Sequence, residues 1–343
     1  DAERRLGLAV AAIHAGDAGG AEAGLRLLEG VDHPRSLRLR GLALYFLGRF
    51  DEAAQALEAA AARWPGDAAA WELLGHAALC AGLSGQARGG DPRDRFGRAA
   101  AAFTAAARRT PAKASIVLMR SQAQRALAEA EQSRGIDARE RLRQAVRDLE
   151  TLGASAPAPP GIHNLLGLTL WSLGTAEAAA GVDPRELYRR AIAELDQALA
   201  EDGRGVLAPC NRGIVRHALG EAEEARGVDP RECFRQAIAD FDLAYARDPA
   251  SDLPFSGRGL TRKALAVTMA RRGIDPRRTF LDAVADLDRA IEIRPDNALD
   301  RVNRGNALAN LGDAERAWGS RSREYLERAI VDFGAALERR PGL

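Results

Sequence analysis

The sequence predicts an all-α fold, a right-handed superhelical α-solenoid of eight helix-turn-helix repeats. A short turn recurs every 46 residues, and an apolar stripe at helical spacing follows it. Aromatic residues make up only 5% of the chain, so small aliphatic side chains must do most of the packing, as in closely stacked helices. Self-similarity with a period of 20–50 residues indicates units that bury their apolar faces only by stacking on one another.

The recurring turn predicts a tight corner between two helices. Gly227 suits the left-handed residue that ends a helix, and Asp229 can cap the next helix with Pro230 at its first position. Glu232 follows Asp229 by three residues and predicts a capping box. The turn therefore reads as structural, not as a catalytic or phosphate-binding loop. Its copies are Gly89–Arg93, Gly135–Arg139, Gly181–Arg185, Gly227–Arg231, Gly273–Arg277 and, in degraded form, Gly319–Arg323.

Residues 206–251 show how one unit is built. Val206–Arg226 is rich in Ala, Leu, Glu and Arg and contains Pro209 only in its first turn, so it predicts a helix of about 20 residues. Asp248-Pro249 ends the second helix. The apolar stripe of that helix consists of Phe234, Ala237, Ile238, Phe241, Ala244 and Tyr245.

A second pattern lies within the units. Trp71-x2-Leu74-Gly75, followed by Ala99-x3-Phe103 and Pro111, resembles the signature of the tetratricopeptide repeat family. Later units keep the glycine of the first helix and the alanine of the second, at Gly167, Gly213, Gly259 and Gly305 and at Ala145, Ala191, Ala237, Ala283 and Ala329. The resemblance covers the whole chain and implies a superhelix of helical hairpins.

The family repeat has 34 residues, a length that residues 34–67 fit directly and residues 1–33 fit more loosely, through Gly16 and Ala21. From residue 68 each unit gains twelve residues at the corner, which should lengthen both helices. A period of 46 also lies in the HEAT and armadillo range, but the two short units and the Trp-x2-Leu-Gly match argue against those classes. We predict one solenoid with repeats at 1–33, 34–67, 68–113, 114–159, 160–205, 206–251, 252–297 and 298–343.

An Arg–Asp pattern accompanies the repeats. Four long units carry Arg just before the glycine position of the first helix and Asp just before the Phe/Leu position of the second. We predict ion pairs that join helices, because the planar guanidinium suits a carboxylate; the alternative is unpaired surface charge. The residues are Arg120, Arg212, Arg258 and Arg304 with Asp148, Asp240, Asp286 and Asp332.

The family resemblance implies that first helices line a concave groove. It places a partner-binding stripe at the fifth, ninth and twelfth residues of each first helix, and a spacing of four and three puts each triplet on one helix face. Ordinary packing and solvated side chains are the alternative interpretation. The predicted binding residues are Gln122, Arg125, Asn164, Leu168, Trp171, Ile214, His217, Leu260, Lys263 and Asn306.

Two specialised sites are not predicted. Chaperone-binding members of the family clamp a carboxylate with a basic fifth residue, whereas the fifth positions here are Leu118, Asn164, Cys210, Ser256 and Val302. His217 follows Cys210 by seven residues on the same helix face, but two side chains about 10 Å apart along a helix do not make a metal site. No catalytic constellation can be placed, so we predict no enzymatic activity, no metal and no cofactor.

Composition narrows the setting. A net charge of +1, with 49 basic and 48 acidic residues, favours neither nucleic acid nor a membrane surface as a partner. No apolar run is long enough to span a bilayer. Three cysteines without a CxxC pair predict a reducing compartment, the cytoplasm. The chain begins at Asp1, so a removed leader remains an alternative.

The predicted function is a non-catalytic scaffold that binds a protein or peptide in the concave groove. We expect it to be a regulatory or recruiting module of a larger bacterial protein. The alternatives are a structural spacer or oligomerisation arm with no groove ligand, and a sensory domain of a linked kinase or protease. Phe333 and Leu337 should be partly uncovered at the C-terminal end, which also predicts self-association through that end.

Overall fold

A computed structural model of the chain describes residues 2–15, 17–111, 113–155, 157–251, 253–318 and 322–339. All regular structure in these residues is helical. Gly16 and residues 319–321 of the degraded turn lie outside them. The helices are α1 Ala2–His14, α2 Ala18–Leu28, α3 Pro34–Phe46, α4 Phe50–Arg63, α5 Ala68–Ala87, α6 Arg93–Arg109, α7 Ala114–Gln132, α8 Arg139–Gly153, α9 Ile162–Ala179, α10 Arg185–Glu201, α11 Leu207–Glu224, α12 Arg231–Arg247, α13 Leu253–Arg271, α14 Arg277–Ile293, α15 Ala298–Trp318 and α16 Ser322–Arg339.

The helices form two compact units, Asp1–Ala176 and Glu177–Leu343. In the first unit α1 to α8 pack on one another in succession, and in the second α10 to α16 do so, the arrangement of a helical solenoid. The first helices of the hairpins also approach one another within 8 Å between Cα atoms, in the pairs α1–α3, α3–α5, α5–α7, α11–α13 and α13–α15, whereas no two even-numbered helices do so among the described residues. The odd-numbered layer is therefore the more closely packed. The division into eight repeats of one solenoid stays a prediction.

The corner glycines end their helices as expected. Gly227 has a φ of 75°, in the left-handed region, and the Val228 N–H donates to the Glu223 carbonyl at 2.9 Å. Gly89, Gly135, Gly181 and Gly273 also have φ between 71° and 79°. A bond that spans six residues around a left-handed glycine is the Schellman motif, which satisfies carbonyl groups that the helix leaves free.

The capping box is only half right. The Asp229 carboxylate accepts the backbone N–H of Arg231 at 3.2 Å and the Arg231 guanidinium at 2.7 Å. This guanidinium lowers the pKa of the Asp229 carboxyl to about 2. The Glu232 side chain, however, contacts Arg235 and Gln236 within its own helix instead of returning to the Asp229 backbone. Arg231 thus holds the Asp229 carboxylate, the Asp229 backbone receives no bond from Glu232, and Pro230 instead of Asp229 is the residue directly before the helix.

The longer corners lengthen both helices of a hairpin. The helices α3 and α4 have 13 and 14 residues, whereas α11 and α12 have 18 and 17. At 1.5 Å per residue, the five additional residues of the first helix add about 7.5 Å and the three of the second add about 4.5 Å. The predicted lengthening is confirmed for this pair.

Glycines on the first helices receive aromatic rings from the second helices. A Cβ built on Gly220 would lie 2.6 Å from the ring of Phe234, and one built on Gly213 would lie 2.9 Å from the ring of Phe241. Both rings are fully buried. Glycine is therefore required at these positions by the close approach of a ring, although it lowers intrinsic helix stability.

We expect Gly220→Ala to lower the free energy of unfolding by about 1–3 kcal/mol, because the added methyl group overpacks the Phe234 ring. Gly97→Ala is the matched control, since a Cβ on Gly97 of α6 meets nothing within 4 Å. This control should instead raise the free energy of unfolding by about 0.5–1 kcal/mol. Denaturant titrations followed by circular dichroism compare the two. If the two substitutions changed the free energy of unfolding in the same direction, the close-packing argument would be contradicted.

The predicted Arg–Asp pairs are confirmed in all four units. Arg120 contacts Asp148 at 2.6 Å, and Arg258 contacts Asp286 at 2.6 Å. Arg212–Asp240 and Arg304–Asp332 form the same pair between the two helices of a hairpin. In the unit Glu177–Leu343 each such Arg also binds an Asp on the preceding even-numbered helix, at Asp196, Asp242 and Asp288. The pairs therefore tie neighbouring hairpins together as well as the helices of one hairpin.

Candidate binding face of the first helices

The predicted binding residues all lie on odd-numbered helices. In the unit Asp1–Ala176 they are Gln122 and Arg125 of α7 and Asn164, Leu168 and Trp171 of α9. In the unit Glu177–Leu343 they are Ile214 and His217 of α11, Leu260 and Lys263 of α13, and Asn306 of α15. Nine of the ten are partly exposed, whereas His217 is buried, with 9% of its surface exposed.

A polar link aligns α7 with α9 in the first unit. Arg125 forms an ion pair with Glu129, one helical turn further along α7. The Ser172 hydroxyl of α9 donates to the same Glu129 carboxylate at 2.7 Å. The link thus brings Glu129, one turn beyond Arg125, beside Ser172, the residue that follows Trp171.

Arg125 and Trp171 each retain an unused donor. The Nε–H of Arg125 and the indole Nε1–H of Trp171 have no acceptor among the described residues and are shielded from solvent. Buried N–H groups are normally hydrogen-bonded, and leaving one unpaired costs about 1–3 kcal/mol. The predicted face thus holds two donors without a partner among the described residues, one on α7 and one on α9.

In the second unit the polar side chains at the predicted stripe bind one another. The two ring nitrogens of His217 face the Thr261 hydroxyl of α13 at 3.2 Å and the Glu221 carboxylate at 3.3 Å. Its ring lies 5.5 Å from that of Phe234. His217 thus joins α11 to α13 and stands on the core side of the predicted stripe.

Charge at this second face is largely balanced. Burial lowers the pKa of Lys263, and the nearby Glu221 carboxylate opposes that shift. The hydrogen bond with His217 lowers the pKa of Glu221. Further along the helices, Glu224 accepts the Thr268 hydroxyl at 3.1 Å and pairs with Arg271 at 3.0 Å.

A metal centre is not formed by the described side chains. No group of three or more His, Cys, Asp or Glu residues in that part of the chain is arranged to hold a metal ion. Cys210, the residue considered with His217, is buried. None of the helices within the described ranges is both long enough and apolar enough to cross a membrane.

Sequence reasoning missed the residues that join neighbouring first helices. Glu129 could have been found, because it follows Arg125 by four residues on the same helix face. Ser172 and Thr261 could not, since their partners lie 43 and 44 residues away in the preceding unit. Thr268 with Glu224 is a third link of this kind.

Comparison with known proteins agrees with this architecture. Residues 38–89 match the family model described as tetratricopeptide repeat. A tetratricopeptide repeat protein from Parabacteroides merdae has a similar structure, with 17% identity, a TM-score of 0.52 and a match covering 90% of this chain and 93% of that one.

Two further solved structures are more distant. YrrB, a tetratricopeptide repeat protein with an unusual peptide-binding site, is 18% identical with a TM-score of 0.35, over 72% of this chain and 96% of its own. Human IFIT1, solved as a dimer with m7Gppp-AAAA, is 15% identical with a TM-score of 0.39, and the match covers 90% of this chain and 72% of that one. No curated protein sequence matches this chain.

Residues 38–89 thus match the tetratricopeptide repeat family, and the helical fold of the chain is similar to that of a solved tetratricopeptide repeat protein.

Proposed function

We propose that the first-helix face of the unit Asp1–Ala176 binds an extended segment of a partner protein. The observation that carries this proposal is the pair of unused donors on Arg125 of α7 and Trp171 of α9, two helices that the Ser172–Glu129 bond joins. Every peptide presents backbone carbonyl groups at regular intervals, so two such donors suit a main chain laid across the helices. Rotation of the two side chains would turn the donors toward the open face.

The side chains around these donors suit a peptide of mixed character. Trp171 offers a large, rigid apolar surface, and Trp and Arg are enriched among residues that dominate binding energy. Leu168 precedes it by three residues on the same helix face, and Gln122 adds a side-chain amide. Glu129 already neutralises part of the Arg125 charge. A peptide backbone with an apolar anchor therefore fits better than a strongly acidic segment.

The layer packing supports the choice of face. The first helices α1, α3, α5 and α7 of this unit approach one another in succession, which the even-numbered helices do not do among the described residues. Side chains from successive first helices thus reach one ligand over a short distance. In the unit Glu177–Leu343 the corresponding polar groups of His217, Thr261 and Glu221 bind one another. Its stripe of Ile214, Leu260, Lys263 and Asn306 is therefore the secondary part of the proposal.

In the cell we propose a scaffold that recruits or regulates, as a module of a larger bacterial protein in the cytoplasm. A spacer with no ligand and a sensory domain of a linked kinase or protease are the competing functions. The nearly balanced charge supports a protein or peptide partner over nucleic acid.

A peptide-display selection tests the proposal. Peptides enriched on the intact chain should bind Trp171→Ala at least about tenfold more weakly, because truncation removes both the ring and its donor. Trp171→Phe should lie between the two, since it keeps an apolar ring and loses the N–H. Arg125→Ala should also weaken binding.

The matched control is His217→Ala/Lys263→Ala, which alters the same repeat position in the other unit. This control should weaken binding of the selected peptides less than Trp171→Ala does, because Lys263 belongs only to the secondary part of the proposal; melting curves first establish that all variants fold. No enrichment, or equal binding by Trp171→Ala, would contradict the assignment of this face. Loss in the control alone would move the site to the unit Glu177–Leu343.

A further inference from the structure

The last helix presents an apolar face to solvent. Ile330 and Val331 of α16 are 69% and 70% exposed, and Leu337 is 49% exposed. Phe333, between them, is partly exposed, as the sequence predicted. Ile330 and Leu337 are seven residues apart and therefore lie on one side of the helix. Apolar side chains clustered in this way typically mark an interaction surface.

The preceding hairpin shows what covers such a face. Val284 and Ile291 of α14 precede Ile330 and Leu337 by one period of 46 residues, and they are only 6% and 8% exposed. Val284 is buried in a cluster with Ala307 and Leu308 of α15, the following first helix. By continuity with this interface, the face of α16 fits a helix of the first-helix kind.

A helix that covers α16 must differ in one respect from α15, the helix that covers α14. Asp288 of α14 pairs with Arg304 of α15 at 2.6 Å, and one period later the place of Asp288 is taken by Gly334. A Cβ on Gly334 would meet nothing within 4 Å, so this spot is uncharged and open. It offers no carboxylate to an arginine but leaves room for an apolar side chain.

The first helix of the chain has the matching feature. Ala21 and Ala329 hold the alanine position of the second helix in their repeats. Leu8 precedes Ala21 by thirteen residues and Arg304 precedes Ala329 by twenty-five, and the difference equals the twelve residues inserted at the long corner. Leu8 thus stands at the repeat position of Arg304. It is 50% exposed on α1. Leucine at the arginine position complements glycine at the aspartate position.

We propose that α16 of one copy of this chain packs against α1 of a second copy, with Leu8 placed over Gly334 between Ile330 and Leu337. The contact continues the α14–α15 interface with an apolar pair in place of the ionic one. It joins two different surfaces, so the same contact can repeat from one copy to the next. This head-to-tail contact is independent of the peptide-binding proposal.

Two variants block the two ends separately. Ile330→Glu/Leu337→Glu places charge on α16, and Leu8→Glu places charge on α1. Light scattering during size-exclusion chromatography should show that the unaltered chain grows in mass with concentration, whereas each variant alone stays monomeric. An equimolar mixture of the two variants should form a complex of two chains and nothing larger, since one variant supplies an intact α16 face and the other an intact α1.

Val228→Glu, a charge at an exposed apolar corner residue, is the matched control and should associate like the unaltered chain. Circular dichroism melts establish that the variants fold. An unaltered chain that is monomeric at every concentration would overturn the proposal and assign the α16 face to a helix of another protein. If Leu8→Glu associated in the absence of the other variant, the proposal would also be overturned, in favour of contact between two α16 helices.

Discussion

Asp240→Ala is expected to lower the free energy of unfolding by about 3–5 kcal/mol, the range for removing one partner of a buried ion pair. The Asp240 side chain is only 3% exposed and binds Arg212 of α11 as well as Arg216, at 2.8 Å. Burial raises the pKa of its carboxyl, and the two guanidinium groups oppose that shift. Removing the carboxylate leaves two partly buried cations without their common anion.

Asp196→Ala is the control, because Asp196 binds the same Arg212 at 2.5 Å but is 50% exposed. Exposed ion pairs contribute about 0–1 kcal/mol, so this change should be small. Urea titrations followed by circular dichroism give both values. Adding Arg212→Ala to Asp240→Ala should recover part of the loss, since it removes one of the stranded charges. Equal losses at Asp240 and Asp196 would refute the burial argument.

The Arg–Asp network also shows what repetition in a sequence can and cannot predict. The pairing of Arg212 with Asp240 follows from a pattern found in four units. Its bond to Asp196 does not, because nothing in the pattern says which neighbouring hairpin an exposed carboxylate faces. Contacts that join fixed positions of one repeat recur with the period, so the sequence can predict them. Contacts between repeats depend on how the hairpins stack, which the sequence pattern does not give.

The fold was largely predictable for the same reason. Left-handed glycines and the bonds around them are local, so Gly227 and its copies could be assigned from the turn alone. The capping box at Asp229 was wrong in part, because the Glu232 carboxylate binds Arg235 and Gln236 of its own helix while Arg231 holds the Asp229 carboxylate. On the predicted binding face, the sequence could not predict that His217 contacts Thr261 and Glu221 within the protein. The assignment of that face stays a prediction.

Phe241→Ala is expected to lower the free energy of unfolding by about 3–5 kcal/mol, the usual range for truncating a buried aromatic ring. Phe241 is 1% exposed. Its ring approaches the backbone at Gly213 of α11 in its own hairpin and at Gly257 of α13 in the next. The ring therefore fills space between three helices, and its loss loosens both a hairpin and the contact between two hairpins.

Phe333→Ala provides the control, because Phe333 lies two periods after Phe241 and is partly exposed. Measured in the Ile330→Glu/Leu337→Glu background, where α16 is kept uncovered, its loss should be smaller. Calorimetric or chemical unfolding of both variants gives the comparison. Similar losses would mean that coverage by the following hairpin does not set the stabilisation.

The two glycines make the prediction for Phe241 sharper. In the unaltered chain a Cβ on Gly213 would lie 2.9 Å from the ring, so Gly213→Ala should destabilise by overpacking. In the Phe241→Ala background the same methyl group enters the cavity that the ring has vacated and adds helix propensity, so it should stabilise. The sign of one substitution then reports whether the ring fills that space. A Gly213→Ala effect of the same sign in both backgrounds would mean that the helices close on the cavity, and that the interface between hairpins is set by the backbone and not by the ring.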